Sequence, residues 1–70
     1  MKKITSLQDY YELERIVYEA QDALNGASCT GLHYNLAFIL RGFGLMAVTR
    51  DESVRLGKRL LKEYEKENFQ

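Results

Sequence analysis

The 70-residue sequence has no proline, a single cysteine and no net charge, and each absence narrows what the protein can be. Without proline, no residue type in the chain forces a helix to break. Cys29 alone cannot form an internal disulfide framework, so we expect a chain made in a reducing compartment, the cytoplasm of a bacterium or the cytosol of a host cell. Ten basic residues balance ten acidic ones, so the overall positive charge typical of nucleic-acid binders is missing.

Long hydrophobic runs are also scarce. Residues 1–14 contain no continuous apolar stretch, so we expect no secretory signal there. Residues 32–48 approach the roughly 20 residues that span a bilayer, but Arg41 lies inside them, with His33 and Asn35 nearby. An arginine at the centre of a bilayer costs about 2.5 to 3.5 kcal/mol. We therefore interpret this segment as a buried core helix and expect no membrane partner.

Apolar residues recur at spacings of three and four in the first third of the chain, which predicts a helix over about residues 6–25. Ser6 and Asp9 have the spacing of a capping box at its start, and Asn25-Gly26 is typical of its end. The predicted core stripe consists of Tyr10, Leu13, Val17, Ala20 and Leu24, supported by Ile16 and Ala23.

The second predicted helix covers about residues 29–43. Ser28 or Thr30 is expected to cap its start, and Gly44 its end. Residues 45–48 are then expected to form a buried apolar connector, although a helix continuing to Val48 is an alternative. Thr49 and Glu52 form a second capping-box pattern, which opens a third helix over about residues 50–68.

The third helix has a core stripe that includes a glycine, Gly57, which suits a close approach to a neighbouring helix. The other stripe residues are Val54, Leu60, Leu61 and Tyr64. Three helices with no strand-like alternation predict an all-α, compact three-helix bundle, formed by residues 1–70 as a single domain. A chain of this length is near the lower limit for a self-sufficient core, so association through leftover apolar surface is a further possibility.

The sequence gives little support for a catalytic site or a metal site. Cys29 and His33 would lie one helical turn apart near a helix start, which suits a reactive thiolate, but no third orienting residue accompanies them. Two such ligands also cannot complete a zinc site. Gly42-Phe43-Gly44 lacks the third glycine and the preceding strand of a phosphate loop. We therefore expect no enzyme, no cofactor, no metal and no small-molecule substrate.

A basic ridge runs along the predicted third helix. It consists of Arg55, Lys58, Arg59, Lys62 and Lys66 at spacings of three and four. The ridge could follow phosphates or an acidic protein surface, but Glu63, Glu65 and Glu67 are interleaved with it and reduce its potential. An ordinary solvated face is the simpler interpretation, and nucleic acid is a possible but not a favoured partner.

The predicted first helix carries a second candidate surface. When its core stripe faces inward, Leu7, Tyr11 and Tyr18 fall together on a flank outside the core. Tyrosine joins a large apolar ring to a hydroxyl group and is enriched at interfaces. Half-exposed tyrosines are also common in small bundles without any function. We predict that this flank, which we call the tyrosine flank, binds a protein partner or mediates self-association.

Two stretches resemble known sequences. The run VYEAQDALNGASCTGLHYNLAFIL resembles a segment of small, uncharacterised helical proteins of phages and mobile elements, and GLMAVTRDESVRL resembles a common turn into a helix. The resemblance implies an accessory protein made inside a bacterium and acting on host machinery, and it carries over no catalytic residues. The sequence thus predicts a small non-enzymatic protein that binds and modulates a host protein. The alternatives are a nucleic-acid-binding regulator that uses the basic ridge, and a homo-oligomeric structural module.

Overall fold

Three helices form the architecture in this computed structural model, which describes residues 3–26 and 30–69. Helix α1 spans Leu7–Leu24, α2 spans Thr30–Gly42 and α3 spans Arg50–Asn68. Every boundary lies within one residue of its predicted position, and each helix contacts both of the others. The prediction of an all-α three-helix bundle is confirmed.

Side-chain hydroxyls begin α1 and α3, as the capping patterns predicted. The Ser6 hydroxyl accepts a hydrogen bond from the Asp9 N–H at 3.1 Å, and the Thr49 hydroxyl accepts one from the Glu52 N–H at 3.1 Å. The Glu52 carboxylate reaches back one residue further than a capping box requires and accepts from the Val48 N–H at 2.7 Å. These bonds satisfy amides that a helix start leaves unpaired.

Helix α2 ends through Gly44, as predicted, while Gly42 remains helical. Gly44 has a φ of +79°. This backbone conformation is energetically unfavourable for residues other than glycine. The turn pairs the Leu45 N–H with the Leu40 carbonyl at 2.9 Å and the Gly44 N–H with the Arg41 carbonyl at 3.0 Å. This Schellman geometry turns the chain back along α2. Ser28, proposed as a cap for α2, lies outside the described residues, and Thr30 is the first residue of the helix.

The core forms where the three predicted stripes meet. It contains Ile4, Tyr10, Leu13, Val17, Ala20, Leu36, Leu40, Val54, Leu60, Leu61 and Tyr64. The predicted α3 stripe is confirmed, and so is the α1 stripe up to Ala20. Leu24 was wrongly placed in the core and is 37% exposed, because it is the last residue of α1 and lies at the edge of the bundle.

Gly57 lies at a tight contact between α1 and α3. A Cβ atom at this position would lie 2.5 Å from Cγ2 of Val17 and 3.6 Å from Cδ1 of Leu36. Both neighbours are fully buried, so neither has free space into which to move. The prediction that Gly57 permits close helix packing is confirmed.

The alternative of a helix continuing to Val48 is wrong, because α2 ends at Gly42. The interpretation of α2 as a buried core helix is correct for one side only, centred on Leu36 and Leu40, which packs into the core. A helix in a three-helix bundle has two neighbours, so an apolar helix necessarily leaves one side uncovered. The connector that follows is half-buried rather than buried, because Leu45 and Ala47 face the core while Met46 and Val48 are exposed.

An aromatic cluster joins the start of α1 to the end of α3. Tyr10 stacks on Tyr64 with ring centroids 4.9 Å apart, and Phe69 contacts both rings edge-on at 5.3 and 5.7 Å. The Tyr10 hydroxyl donates to the Glu65 carboxylate at 2.6 Å and lies 3.2 Å from the Glu14 carboxylate. Burial, followed by these two carboxylates, raises the pKa of Tyr10 above its ordinary value of 10.0.

Tyr10→Phe is expected to lower the free energy of unfolding by about 1 to 2 kcal/mol, since it removes a hydrogen bond to a charged partner. Because the folded chain holds the Tyr10 proton more tightly than the unfolded chain, its contribution is fully present below about pH 10 and is lost as the pH rises above that value. Urea titrations at pH 7 and pH 11 measure both effects. The difference between wild type and Tyr10→Phe should shrink at pH 11; an unchanged difference would contradict the raised pKa.

Candidate functional site

The tyrosine flank lies on the outside of α1, as its sequence position indicated. Leu7, Tyr11 and Tyr18 are 45%, 55% and 54% exposed. They span about 16 Å along the helix, at 1.5 Å per residue. Tyr11 also meets Tyr10 edge-on, with ring centroids 5.5 Å apart, so its ring is partly supported by the aromatic cluster. The flank is therefore a row of half-exposed large apolar side chains, two of them tyrosines, along one helix, and its role stays a prediction.

The basic ridge is exposed along α3, but its charges are not equally available. Arg59 forms an i,i+4 ion pair with Glu63 at 3.6 Å, and Lys66 also has an interaction partner. Within residues 3–26 and 30–69, Arg55, Lys58 and Lys62 form no ion pair. The ridge therefore offers a short group of three available cations rather than five, which weakens it as a track for phosphates.

The structure brings the tyrosine flank and the basic ridge together. Tyr18 from α1 and four α3 residues line one shallow cleft of about 230 Å³, which we call the α1–α3 cleft. The α3 residues are Lys58, Leu61, Lys62 and Glu65. Sequence periodicity placed each surface on its own helix but gave no relation between them. Their adjacency depends on how α1 and α3 are rotated against each other, which the periodicity of a single helix does not determine.

The cleft combines an apolar floor with a cationic rim. Leu61 is buried beneath it, and the Tyr18 ring forms one wall. Glu65 already accepts the Tyr10 hydroxyl, so its carboxylate is fixed at the inner edge, while the lysine side chains have no described ion-pair partner. Lysine stems lie against apolar surface with the ammonium groups in water. The arrangement suits a partner that presents an apolar side chain flanked by carboxylates.

His33 lies at a second depression, between α2 and the connector. It is buried, and neither ring nitrogen has a hydrogen-bond partner among the described residues. The groove beside it measures about 390 Å³ and reaches the start of α3. Arg50 also lines this groove. At the start of α3, the Thr49 hydroxyl engages the Glu52 amide, and Asp51 and Glu52 place two carboxylates in the first turn, which disfavours an anion at that helix start. Cys29, proposed as the partner of His33, lies outside the described residues.

The described part of the chain holds no cluster of three or more His, Cys, Asp or Glu side chains with metal-binding geometry. None of its helices has the length and apolar character needed to cross a membrane.

No family model matches this chain. No curated protein and no solved structure matches it either. Function is therefore inferred from the surface chemistry of the described residues.

The most exposed large apolar side chains among the described residues were not predicted from the sequence. Tyr34 and Phe38 on α2 are each 78% exposed, and Met46 and Val48 in the connector are 74% and 85% exposed. The sequence feature that could have identified them is the apolar character of α2 on almost every side, from which we predicted complete burial. In a bundle of three helices, the same pattern indicates an uncovered outer face.

Proposed function

We propose that this chain is a non-enzymatic binding module that holds a protein partner at the α1–α3 cleft. The observation that supports the proposal is the position of Tyr18, a half-exposed ring that shares one cleft with Lys58 and Lys62, neither of which has a described ion-pair partner. A tyrosine at the centre of such a site supplies contact area at low entropic cost.

The geometry favours a partner segment with one apolar or aromatic side chain and nearby acidic residues. The apolar side chain would pack against Tyr18 and the floor of the cleft, while the carboxylates would meet the lysine ammonium groups. Tyr11 and Leu7 extend the contact along α1. Charge complementarity of this kind mainly accelerates association and selects among partners.

The resemblance to small proteins of phages and mobile elements suggests the kind of partner and the compartment in which the chain acts. It implies an accessory protein that acts in the bacterial cytoplasm or host-cell cytosol by binding and modulating a host protein. A binding module of this size acts by occupying a surface of its target, so it requires no catalytic group of its own.

The combined substitutions Tyr11→Ala and Tyr18→Ala are expected to weaken capture of the partner by at least about thirtyfold, the effect of losing a hot-spot residue. The measurement is affinity capture on the tagged chain in the cells that produce it, followed by titration of the captured protein. Tyr34→Ala, on the outer side of α2, is the matched control and should leave the affinity for the partner unchanged at a concentration at which the chain is monomeric. Equal affinity in the double variant and wild type would remove the α1–α3 cleft from consideration.

Salt dependence separates this function from nucleic-acid binding. Replacing Arg55, Lys58 and Lys62 by glutamine should lower affinity for an acidic protein, because these are the ridge cations without a described ion-pair partner. If the captured ligand were nucleic acid, log affinity would instead fall linearly with log salt, and the triple variant would reduce that slope by roughly two to three. Such a result would replace the proposed function with the nucleic-acid alternative.

A further inference from the structure

The outer side of α2 and the connector form an apolar surface separate from the α1–α3 cleft. It consists of Tyr34, Phe38, Met46 and Val48, which we call the α2 face. Tyr34 and Val48 line the same groove, and Phe38 lies one turn along the helix from Tyr34. Residues alternate along the connector, so Met46 and Val48 point outward while their neighbours pack inward. Tyr34, Phe38 and Val48 therefore lie on one side of the bundle, and Met46 is exposed two residues before Val48.

Charge is almost absent from this helix. Arg41 is the single charged residue among the 13 of α2, whereas α1 carries six and α3 eleven. The outer surfaces of α1 and α3 are thus typical of helices in contact with water, and that of α2 is not. Interface cores are depleted in charge and enriched in tyrosine, phenylalanine, methionine and arginine, which matches the α2 face.

We propose that the α2 face is covered by a second copy of this chain, with the two α2 helices antiparallel about a two-fold axis. The axis would pass level with residue 36, midway between Tyr34 and Phe38, so that Tyr34 of each copy meets Phe38 of the other. A two-fold interface requires this self-complementarity. In the same register, Arg41 meets Gly31 of the second copy. The two arginines then lie about 15 Å apart along the helices, beyond the screening length of about 8 Å.

Gly31 and Gly42 provide a second, independent observation. A Cβ atom at either position would have no described atom within 4 Å, and neither glycine has the positive φ that would require it. Glycine nonetheless weakens a helix relative to alanine. Both glycines lie on the same exposed side of α2 as Tyr34 and Phe38. Packing within the bundle therefore does not explain them, whereas a helix approaching closely from outside does.

The available area is consistent with a dimer. Given their exposed fractions, the four side chains of the α2 face present roughly 500 Å² of apolar surface. A standard interface buries about 800 Å² on each partner, so these four side chains would supply more than half of that area. The total surface of one chain is 4980 Å², so the contact would cover about a sixth of it. Both copies would keep their α1–α3 clefts free, on the sides away from the axis.

The test is the native mass of the purified full chain over about a hundredfold range of concentration, by light scattering or sedimentation. Wild type is expected to reach twice its 8.1 kDa chain mass. Phe38→Glu should raise the dissociation constant by more than about a hundredfold, since each copy would lose a central aromatic contact and bring a carboxylate into the interface. Circular dichroism should show unchanged helicity in this variant, because Phe38 lies outside the core.

Tyr11→Glu is the matched control, because it places the same charge on an exposed aromatic position of the other surface. It should leave the dimer intact while disturbing the proposed partner site. A wild-type chain that is monomeric throughout the range would overturn the two-fold pairing and leave the α2 face to a different partner. A dimer that survives Phe38→Glu but is lost in Tyr11→Glu would equally overturn it, and would assign self-association to the tyrosine flank.

Discussion

Gly57→Ala is expected to lower the free energy of unfolding by about 2 kcal/mol, although alanine is the better helix former. The new methyl group would lie 2.5 Å from Cγ2 of Val17, which is fully buried and, as a β-branched residue, has essentially one rotamer in a helix. Overpacking costs about 1 to 3 kcal/mol and outweighs the gain in helix propensity because the helices must separate. For a chain of this size the melting temperature should fall by roughly 10 °C.

Gly42→Ala is the matched control, measured at a concentration at which the chain is monomeric. No described atom lies within 4 Å of that position, so the same substitution should raise stability by about 0.5 to 1 kcal/mol. Combining Val17→Ala with Gly57→Ala should cost less than the sum of the two single substitutions, with a coupling energy of about 1 to 2 kcal/mol. Equal stabilisation by both glycine substitutions would show that α1 and α3 do not approach each other at Gly57.

Leu36→Ala is expected to cost about 3 kcal/mol, the typical result of removing a fully buried leucine side chain. Leu36 is completely buried where all three helices meet. A domain of this length has a total stability of roughly 4 to 10 kcal/mol, so this variant should be close to unfolded at physiological temperature. Urea unfolding followed by circular dichroism measures the effect, again at a concentration at which the chain is monomeric.

Phe38→Ala on the same helix is the comparison that makes this result informative. It removes a larger side chain, yet the Phe38 ring contributes little to the core because it is 78% exposed. Its effect on the monomer should remain within about 0.5 kcal/mol. Similar losses for both substitutions would mean that α2 is buried on both sides, contrary to the orientation described here.

The fold was predictable to the extent that local patterns specify it. Helices α1 and α3 each have one apolar side, and this pattern predicted their orientation correctly. In α1 the prediction holds as far as Ala20. The hydroxyl caps at Ser6 and Thr49 and the glycine at position 44 act within a few residues, so their sequence spacing was sufficient. The prediction that Leu24 lies in the core is wrong because the periodicity of α1 carries no information about where the neighbouring helix ends.

The surfaces were predicted only in part, for a physical reason. An amphipathic helix shows which side is exposed but not which helix lies beside it, so the proximity of Tyr18 to Lys58 and Lys62 required the packing of α1 against α3. The α2 face was missed because a helix that is apolar on almost every side has no stripe to orient it. Only the number of neighbouring helices shows that one side must remain open.

The central claim is that the α1–α3 cleft binds another protein and that the α2 face binds a second copy of this chain. Photo-cross-linking tests it most directly, with benzoylphenylalanine replacing Tyr18 in one variant and Phe38 in another. From position 38, the purified chain should give an adduct of twice 8.1 kDa. From position 18, it should give no self-adduct when purified, and should give an adduct with one other protein in the cells that produce it. Self-adducts from position 18 together with none from position 38 would contradict the account.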